Sequence, residues 1–255
     1  MKRISNKMYT LFFYILGILF IILILYLLHE FSGNQIVFPS ISSIFNRFFL
    51  FLGDKKTYLA IFYTILRTFI GLLVAGLLGY FIGLFAGLYS KIEFFLKPLI
   101  SILKSTPVPC FIFILFVFFP FNKTLATTIV VFMIVFPIIY ESAKEGVKNI
   151  DKDIILSLRL DGLKSFHSIN SVIMPLTLPY VVLSFLTSFG LAIKVEITSE
   201  ILINSIDFIG LGELIYLAYS NNEFSSLFAL IIIILIIFAF FDTIIYLFKK
   251  IFVKK

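Results

Sequence analysis

Residues 58–89 read YLAIFYTILRTFIGLLVAGLLGYFIGLFAGLY, an apolar stretch with a single charged residue, Arg67. A helix needs about 20 apolar residues to cross the hydrocarbon core of a bilayer. This stretch is long enough to span a membrane, and so are five others. The six predicted spans are residues 8–28, 58–89, 99–119, 124–140, 175–199 and 224–248. We therefore predict an all-α integral membrane protein, a six-span bundle of transmembrane helices forming a single domain over residues 1–255.

The composition indicates the same class of protein. Apolar residues make up 61% of the chain and charged residues 14%, against about 45–50% and about 25% in typical soluble domains. These values exclude a soluble enzyme and a disordered tail. Cys110 is the only cysteine, which excludes a disulfide scaffold.

The formal net charge of +7 is typical of a nucleic-acid-binding protein or of a membrane protein with basic cytoplasmic loops. Fourteen of the 21 Lys and Arg residues lie on the side of the predicted spans that carries both termini, and four lie on the other side. Because short loops rich in Lys and Arg stay in the cytoplasm, we expect a multi-pass protein of the plasma or inner membrane with both termini cytoplasmic. This asymmetry explains the charge without a nucleic-acid partner. The first apolar run is longer than that of a signal peptide, so we expect an uncleaved span.

Small residues recur at every fourth position of the second predicted span. On a helix this spacing forms a nearly straight groove, which lets another helix approach closely. The groove is either a sliding or dimerising surface of a moving transporter or a site of static packing within one chain. Its residues are Gly71, Ala75, Gly79, Gly83 and Gly87.

The segment between the fourth and fifth predicted spans, residues 141–174, is polar and is expected in the cytoplasm. Asp151 is placed to cap a short helix, and Gly162 to end it, because glycine tolerates the left-handed conformation of a helix stop. Ser165 is placed to cap a second short helix before Pro175 opens the next span.

Such a pair of helices either lies on the membrane surface or docks into a partner protein. Phe166 and Ile169 are three residues apart, a spacing that suits two side chains filling a groove of a partner, while Lys164 and His167 stay in water.

The spacing within this segment resembles that of the permease subunits of type I ABC importers. Their signature is Glu-Ala-Ala, three residues, Gly, nine residues and Ile-x-Leu-Pro. Gly162 matches the glycine, and Val172-Ile173-Met174-Pro175 matches the final Ile-x-Leu-Pro element with conservative changes. The chain departs from the signature at the Glu-Ala-Ala positions, which hold Leu156, Ser157 and Leu158.

Three further motifs resemble the nitrate, sulfonate and taurine branch of these permeases. They are Arg67 followed by Gly71, the stretch Lys104-Ser105-Thr106-Pro107, and Gly210-Leu211-Gly212. With the loop motif, the resemblance covers about residues 38–219.

The resemblance implies a permease that pairs with a second copy of itself and couples to a separate ABC ATPase subunit through the cytoplasmic loop. An extracytoplasmic binding protein would deliver a small solute of the sulfonate, nitrate, taurine or thiamine-precursor kind. The residues implied at the ATPase contact are Leu156, Ser157, Leu158, Gly162, Lys164, Phe166, His167, Ile169, Val172, Met174 and Pro175.

The sequence contains no Gly-x-x-x-x-Gly-Lys-Ser/Thr loop that would hold ATP phosphates. We therefore expect ATP on the partner ATPase, no cofactor and no metal on this chain, and transport rather than enzymatic activity.

Charged residues and prolines in or near the spans are candidates for the translocation path, because intramembrane charge is costly and broken helices expose backbone groups. The alternatives are structural pairing or snorkelling for the charges and a packing kink for the prolines. The candidates are Arg67, Pro107, Pro109, Lys194, Glu196 and Glu200.

The sequence leaves two alternative functions to consider. An ion-coupled secondary transporter or a channel would share the composition but would not need the loop spacing. An intramembrane enzyme is disfavoured, because His29 and His167 both lie outside the spans and the sequence has no Gly-x-Ser-x-Gly or His-Glu-x-x-His motif.

Overall fold

The computed structural model describes residues 37–160, 166–203 and 208–252, together with residues 13, 16–17, 19–20, 23–24, 26–27 and 29–31. All regular structure in these ranges is helical, as predicted. The helices are α1 (Ile41–Gly53), α2 (Lys55–Leu88), α3 (Ser90–Ser105), α4 (Val108–Phe118), α5 (Lys123–Lys148), α6 (Lys152–Leu160), α7 (Phe166–Ser168), α8 (Met174–Ile203), α9 (Leu211–Ser220) and α10 (Phe224–Phe252). A π-helical turn, Ile169–Ile173, joins α7 to α8.

Four helices within the described ranges are long and apolar enough to cross a membrane: Lys55–Leu88, Lys123–Lys148, Ile169–Ile203 and Phe224–Phe248. The pair α3 and α4 supplies a fifth if the two count as one broken span. The predicted first span, residues 8–28, falls largely outside the described residues, so the count of six stays a prediction.

The predicted third span, residues 99–119, is not one helix. It is divided between α3 and α4, which meet at an angle of 103°. Pro107 explains the break, because a residue before proline avoids the helical conformation, and Thr106 and Pro107 are both extended, with ψ of 128° and 139°. At 1.5 Å per residue, neither helix alone crosses a core about 30 Å thick.

The first residues of the predicted cytoplasmic loop, from residue 141, are helical. Helix α5 passes the end of the predicted fourth span and continues to Lys148, where Asn149 caps it. The reason is that Glu, Ala and Lys are good helix formers, so the change from apolar to polar residues marks the expected membrane boundary and not the end of the helix.

The chain divides into two compact units. One unit comprises Met1–Thr57 and Leu214–Ile236. Within it, the Ser225 hydroxyl donates to Ser43 of α1 at 3.2 Å, and Arg47 lies 3.4 Å from Glu223.

The other unit comprises Tyr58–Glu213 and Ile237–Lys255. Its core is lined by α5, whose Ala126, Val130, Val131 and Ile139 are fully buried. This unit contains the residues of the candidate site.

Candidate functional site

Arg67 of α2 lies at the centre of a buried set of charges. Its Nε donates to Glu196 Oε1 at 3.0 Å, and its Nη2 donates to Glu200 Oε1 at 2.5 Å. The two glutamates are one turn apart on α8, so both carboxylates face α2. The exposed fractions are 3% for Arg67, 0% for Glu196 and 1% for Glu200. We call these three residues and Thr64 the arginine cluster.

Thr64 lies one turn before Arg67 and completes the cluster. Its hydroxyl lies 2.8 Å and 2.9 Å from the two Glu200 carboxylate oxygens. The same oxygen accepts the backbone N–H of Leu211 at 2.9 Å. The hydroxyl therefore links α2, α8 and the start of α9.

The arginine cluster also holds the chain that leads into α9. Arg67 Nη2 donates to the carbonyl of Ile209 at 2.8 Å, and the guanidinium carbon lies 4.2 Å from the centre of the Phe208 ring. The N–H of Gly212 donates to Glu200 Oε2 at 2.8 Å. Since the first N–H groups of a helix carry partial positive charge, the start of α9 stabilises the Glu200 carboxylate.

The Gly210-Leu211-Gly212 motif is explained by this close approach. A Cβ on Gly210 would lie 2.5 Å from the carboxyl carbon of Glu200. A Cβ on Gly212 would lie 2.6 Å from the carbonyl oxygen of Ile197, a backbone atom of α8. The backbone donors reach the buried carboxylate because both positions lack a side chain.

The arginine cluster fastens three segments and is closed to water. One guanidinium faces two carboxylates at nearly zero exposure, where charges interact much more strongly than in water. Charge-assisted hydrogen bonds and the start of α9 compensate the second carboxylate. The arrangement suits a fixed joint between α2, α8 and the first residues of α9, whose contacting residues all lie in the same unit.

Of the predicted path residues, the structure brings together Arg67, Glu196 and Glu200, and they face one another. Glu200 is one residue beyond the fifth predicted span, residues 175–199, and the structure places it in the last turn of α8, where it is buried. The other three candidates, Lys194, Pro107 and Pro109, are exposed and lie outside the cluster. The ammonium of Lys194 lies 5.6 Å from the centre of the Phe238 ring.

The stripe of small residues on α2 faces α5 of the same chain. A Cβ added at Gly71 would lie 2.9 Å from Val131, and one at Gly79 would lie 3.1 Å from Ile139. At Gly83 it would overlap the carbonyl oxygen of Tyr140, and at Gly87 it would lie 2.7 Å from Val147. Ala75 is fully buried. Of the two alternatives left open by the sequence, this contact matches packing within one chain.

We call residues 152–175, which contain all the predicted ATPase-contact residues, the coupling segment. The structure describes part of it. The Asp151 carboxylate accepts the N–H of Asp153 at 3.0 Å at the start of α6. On α6, Leu156 and Ser157 are exposed and Leu158 is buried. Gly162 and Lys164 lie outside the described residues.

The second part of the segment is one continuous helix with the following span. Phe166 begins α7, and the π-helical turn carries the chain into α8 without a break. Pro175, predicted to open the next span, is the second residue of α8 and lies within this continuous helix. The wider turn accommodates it: the N–H of Met174 donates to the Ile169 carbonyl five residues back, which leaves room for the proline ring within the helix.

Side chains at the predicted ATPase contact differ in exposure. Of the contact residues in this part whose side chains the structure describes, His167 and Pro175 are exposed, and three others are half-buried: Ile169, Val172 and Met174.

Sequence reasoning missed the partners of Arg67. From the sequence, structural pairing was one of the alternatives for the charges in or near the spans, but nothing identified Glu196 and Glu200 as the partners of Arg67. The available signal was the spacing of Glu196 and Glu200, which places two acids on one helix face. Gly210 and Gly212 follow them in the sequence and permit the close approach of a second backbone segment.

Comparison with known proteins gives a family match over most of the chain. Residues 79–255 match the sequence model of the family described as binding-protein-dependent transport system inner membrane component. The chain is 25% identical over 181 residues to the bicarbonate transport system permease protein CmpB of Synechococcus elongatus, and equally to that of a second Synechococcus strain. The match covers 71% of this chain and 64% of each relative, so the chain spans just under two thirds of their length.

A solved structure shares the fold. The crystal structure of an amino acid ABC transporter with histidines superposes with a TM-score of 0.65 at 16% identity, covering 83% of this chain and 98% of that one. At this identity, the likeness shows the arrangement of helices alone.

Proposed function

The chain belongs to the family of binding-protein-dependent transport system inner membrane components, and from this premise we propose that it is the permease of an ATP-driven importer, coupled to its ATPase through residues 152–175. The family consists of transport components and not of enzymes. The ATPase is a separate chain in this proposal, and ATP binds there.

The observation that carries the proposal is the continuity of the helix that follows α6. Residues Ile169–Ile203 form one helix of 35 residues, and α7 extends it further into the coupling segment. A partner that holds α6 and α7 can therefore tilt α8 as a rigid element. Closure of the ATPases would then favour one of two arrangements of the spans, which is how a ligand on another chain shifts a two-state equilibrium.

The surface of α6 supports docking. Leu156 is 54% exposed at a position that faces away from the buried Leu158. An exposed leucine suits a groove on a partner better than it suits water. In this proposal the departure from Glu-Ala-Ala replaces the acidic side chain at this position with an apolar one.

For the substrate, we propose a small anion. The two relatives are named as bicarbonate transport permeases, and the resemblance in the sequence points to nitrate and sulfonate importers. A binding protein delivers the anion from outside, a second copy of this chain completes the path, and both termini lie on the ATPase side of the membrane.

The test is co-purification with the ATPase encoded beside this chain. Leu156→Lys places a positive charge in the proposed contact, opposite in sign to the glutamate that the signature has there, and we expect at least a tenfold loss of retained ATPase, which corresponds to about 1.4 kcal/mol. The matched control is Tyr219→Lys on α9, an exposed position on the side predicted to be extracytoplasmic. It is expected to retain the ATPase fully.

Two outcomes would overturn the proposal. Equal ATPase retention by both variants would remove residue 156 from the contact. Uptake of labelled bicarbonate or nitrate by proteoliposomes that contain this chain alone, without ATP, would favour an ion-coupled transporter or a channel.

A further inference from the structure

A cavity of about 610 Å³ lies beside the last turns of α5, away from the arginine cluster. Four lysines line it, two from α3 and two from α5. They are Lys97, Lys104, Lys144 and Lys148. The permease function described above does not use them.

The lysines outnumber the acids in this cavity. Lys148 lies 2.6 Å and Lys144 3.5 Å from the same Glu93 carboxylate. Lys104 lies 2.7 Å from Glu141. Four ammonium groups against two carboxylates leave a surplus of two positive charges.

Lys97 is the lysine most available to a ligand. It makes no ion pair among the residues that the structure describes, and its side chain is exposed. A small anion placed in the cavity would therefore bind an ammonium that the protein itself does not neutralise.

One edge of the cavity is apolar and exposed. Phe94 lines the cavity with 69% of its surface exposed, and its neighbour Phe95 is 82% exposed. Ile102, two turns further along α3, is 58% exposed. A charged cavity next to exposed apolar side chains on one helix matches a molecule with an anionic head and a hydrocarbon tail.

We propose that this cavity binds an anionic phospholipid, with the phosphate group among the lysines and the acyl chains along the exposed face of α3. Basic cavities between transmembrane helices bind anionic headgroups in this way. The site lies on the side that the lysine count assigns to the cytoplasm. It is adjacent to the end of α5, from which the chain enters the coupling segment, so a bound lipid would brace that end of the helix.

The experiment measures lipid retention by the full chain in nanodiscs made of phosphatidylglycerol and phosphatidylcholine in equal amounts, followed by native mass spectrometry. Lys97→Gln is expected to lower phosphatidylglycerol retention about fivefold, the size of one lysine contact with an anionic membrane surface. Adding Lys144→Gln is expected to lower it further. Lys91→Gln, an exposed lysine of the same helix outside the cavity, is the matched control and is expected to match the unmodified protein.

Three results would overturn the proposal. One is equal phosphatidylglycerol retention by Lys97→Gln and Lys91→Gln. Another is equal retention of phosphatidylglycerol and phosphatidylcholine by the unmodified protein. The third is loss of the bound lipid on addition of millimolar inorganic phosphate, which would assign the cavity to a free anion. Lys97→Arg keeps the charge and is expected to restore retention, which separates the charge from any change in folding.

Discussion

The arginine cluster and the lysine cavity lie in the same compact unit, yet they differ in the balance of their charges and in how far those charges are exposed to water. In the cluster, Arg67 faces two carboxylates, and all three groups are almost fully buried. In the cavity, lysines outnumber acids, and the side chains of Lys104 and Lys148 are 50% and 47% exposed.

This difference teaches which charges determine the fold and which remain free for ligands. A buried ion pair has no water to replace a lost partner, so removal of one group leaves the other uncompensated. Exposed pairs are screened by water and salt and contribute about 0–1 kcal/mol. We therefore assign the arginine cluster to structure and leave the lysines for binding.

Arg67→Met has the largest expected effect. It leaves two buried carboxylates without a counter-charge, and breaking a buried pair in this way costs about 3–5 kcal/mol. We expect a large fall in the thermal unfolding midpoint of the purified protein. Arg47→Met is the matched control. Arg47 also forms an ion pair, at 3.4 Å from Glu223, but its side chain is 46% exposed. Its unfolding midpoint is expected to change little.

The triple variant Arg67→Met, Glu196→Gln, Glu200→Gln separates charge from packing. Without carboxylates the missing guanidinium no longer leaves buried charge, so we expect most of the lost stability to return. If the triple variant unfolds at the same temperature as Arg67→Met, packing around the arginine holds the joint and the electrostatic explanation is wrong.

Gly212→Ala is expected to have an intermediate effect. The added Cβ would meet the carbonyl oxygen of Ile197 at 2.6 Å and the amide nitrogen of Ile201 at 2.7 Å. Because these are backbone atoms of a helix, α9 must shift, at a cost of about 1–3 kcal/mol. The measurement is again the thermal unfolding midpoint.

Gly190→Ala provides the control within α8. A Cβ at that position meets nothing within 4 Å, and alanine is the better helix former by about 1 kcal/mol. Equal or higher stability is expected there. If Gly212→Ala is as stable as Gly190→Ala, the approach of α9 to Glu200 is looser than the contacts indicate.

The sequence predicted the long helices well because their apolar length is a local property. Residues 58–89 were predicted as a span, and the helix there is Lys55–Leu88. The bend at Pro107 was recognisable as a break, but its angle depends on what α3 and α4 pack against. Helix α5 continues past the fourth predicted span to Lys148 because helix propensity extends beyond the apolar residues.

The arginine cluster was only half predictable. That Arg67 needs a partner follows from the cost of an unpaired charge in a membrane. Which residue pairs with it depends on contacts across 129 and 133 positions of the chain, and local spacing carries no information about them. The glycines of the Gly210-Leu211-Gly212 motif were noticed as a family resemblance, whereas their physical cause is the carboxylate of Glu200.

Lys104→Gln is expected to have the smallest effect. Its ammonium lies 2.7 Å from Glu141, but half of the lysine side chain is exposed, so the pair should contribute no more than about 1 kcal/mol. Because salt at about 1 M shortens the screening length to about 3 Å, adding it to the unmodified protein should remove even this contribution. The same salt should leave the penalty of Arg67→Met almost unchanged, since ions do not reach the buried carboxylates. Thermal unfolding of both variants at low and high salt measures this difference. If Lys104→Gln destabilises the protein as much as Arg67→Met does, exposure does not decide the strength of these pairs, and the cavity lysines belong to the structural core and are not free to bind a ligand.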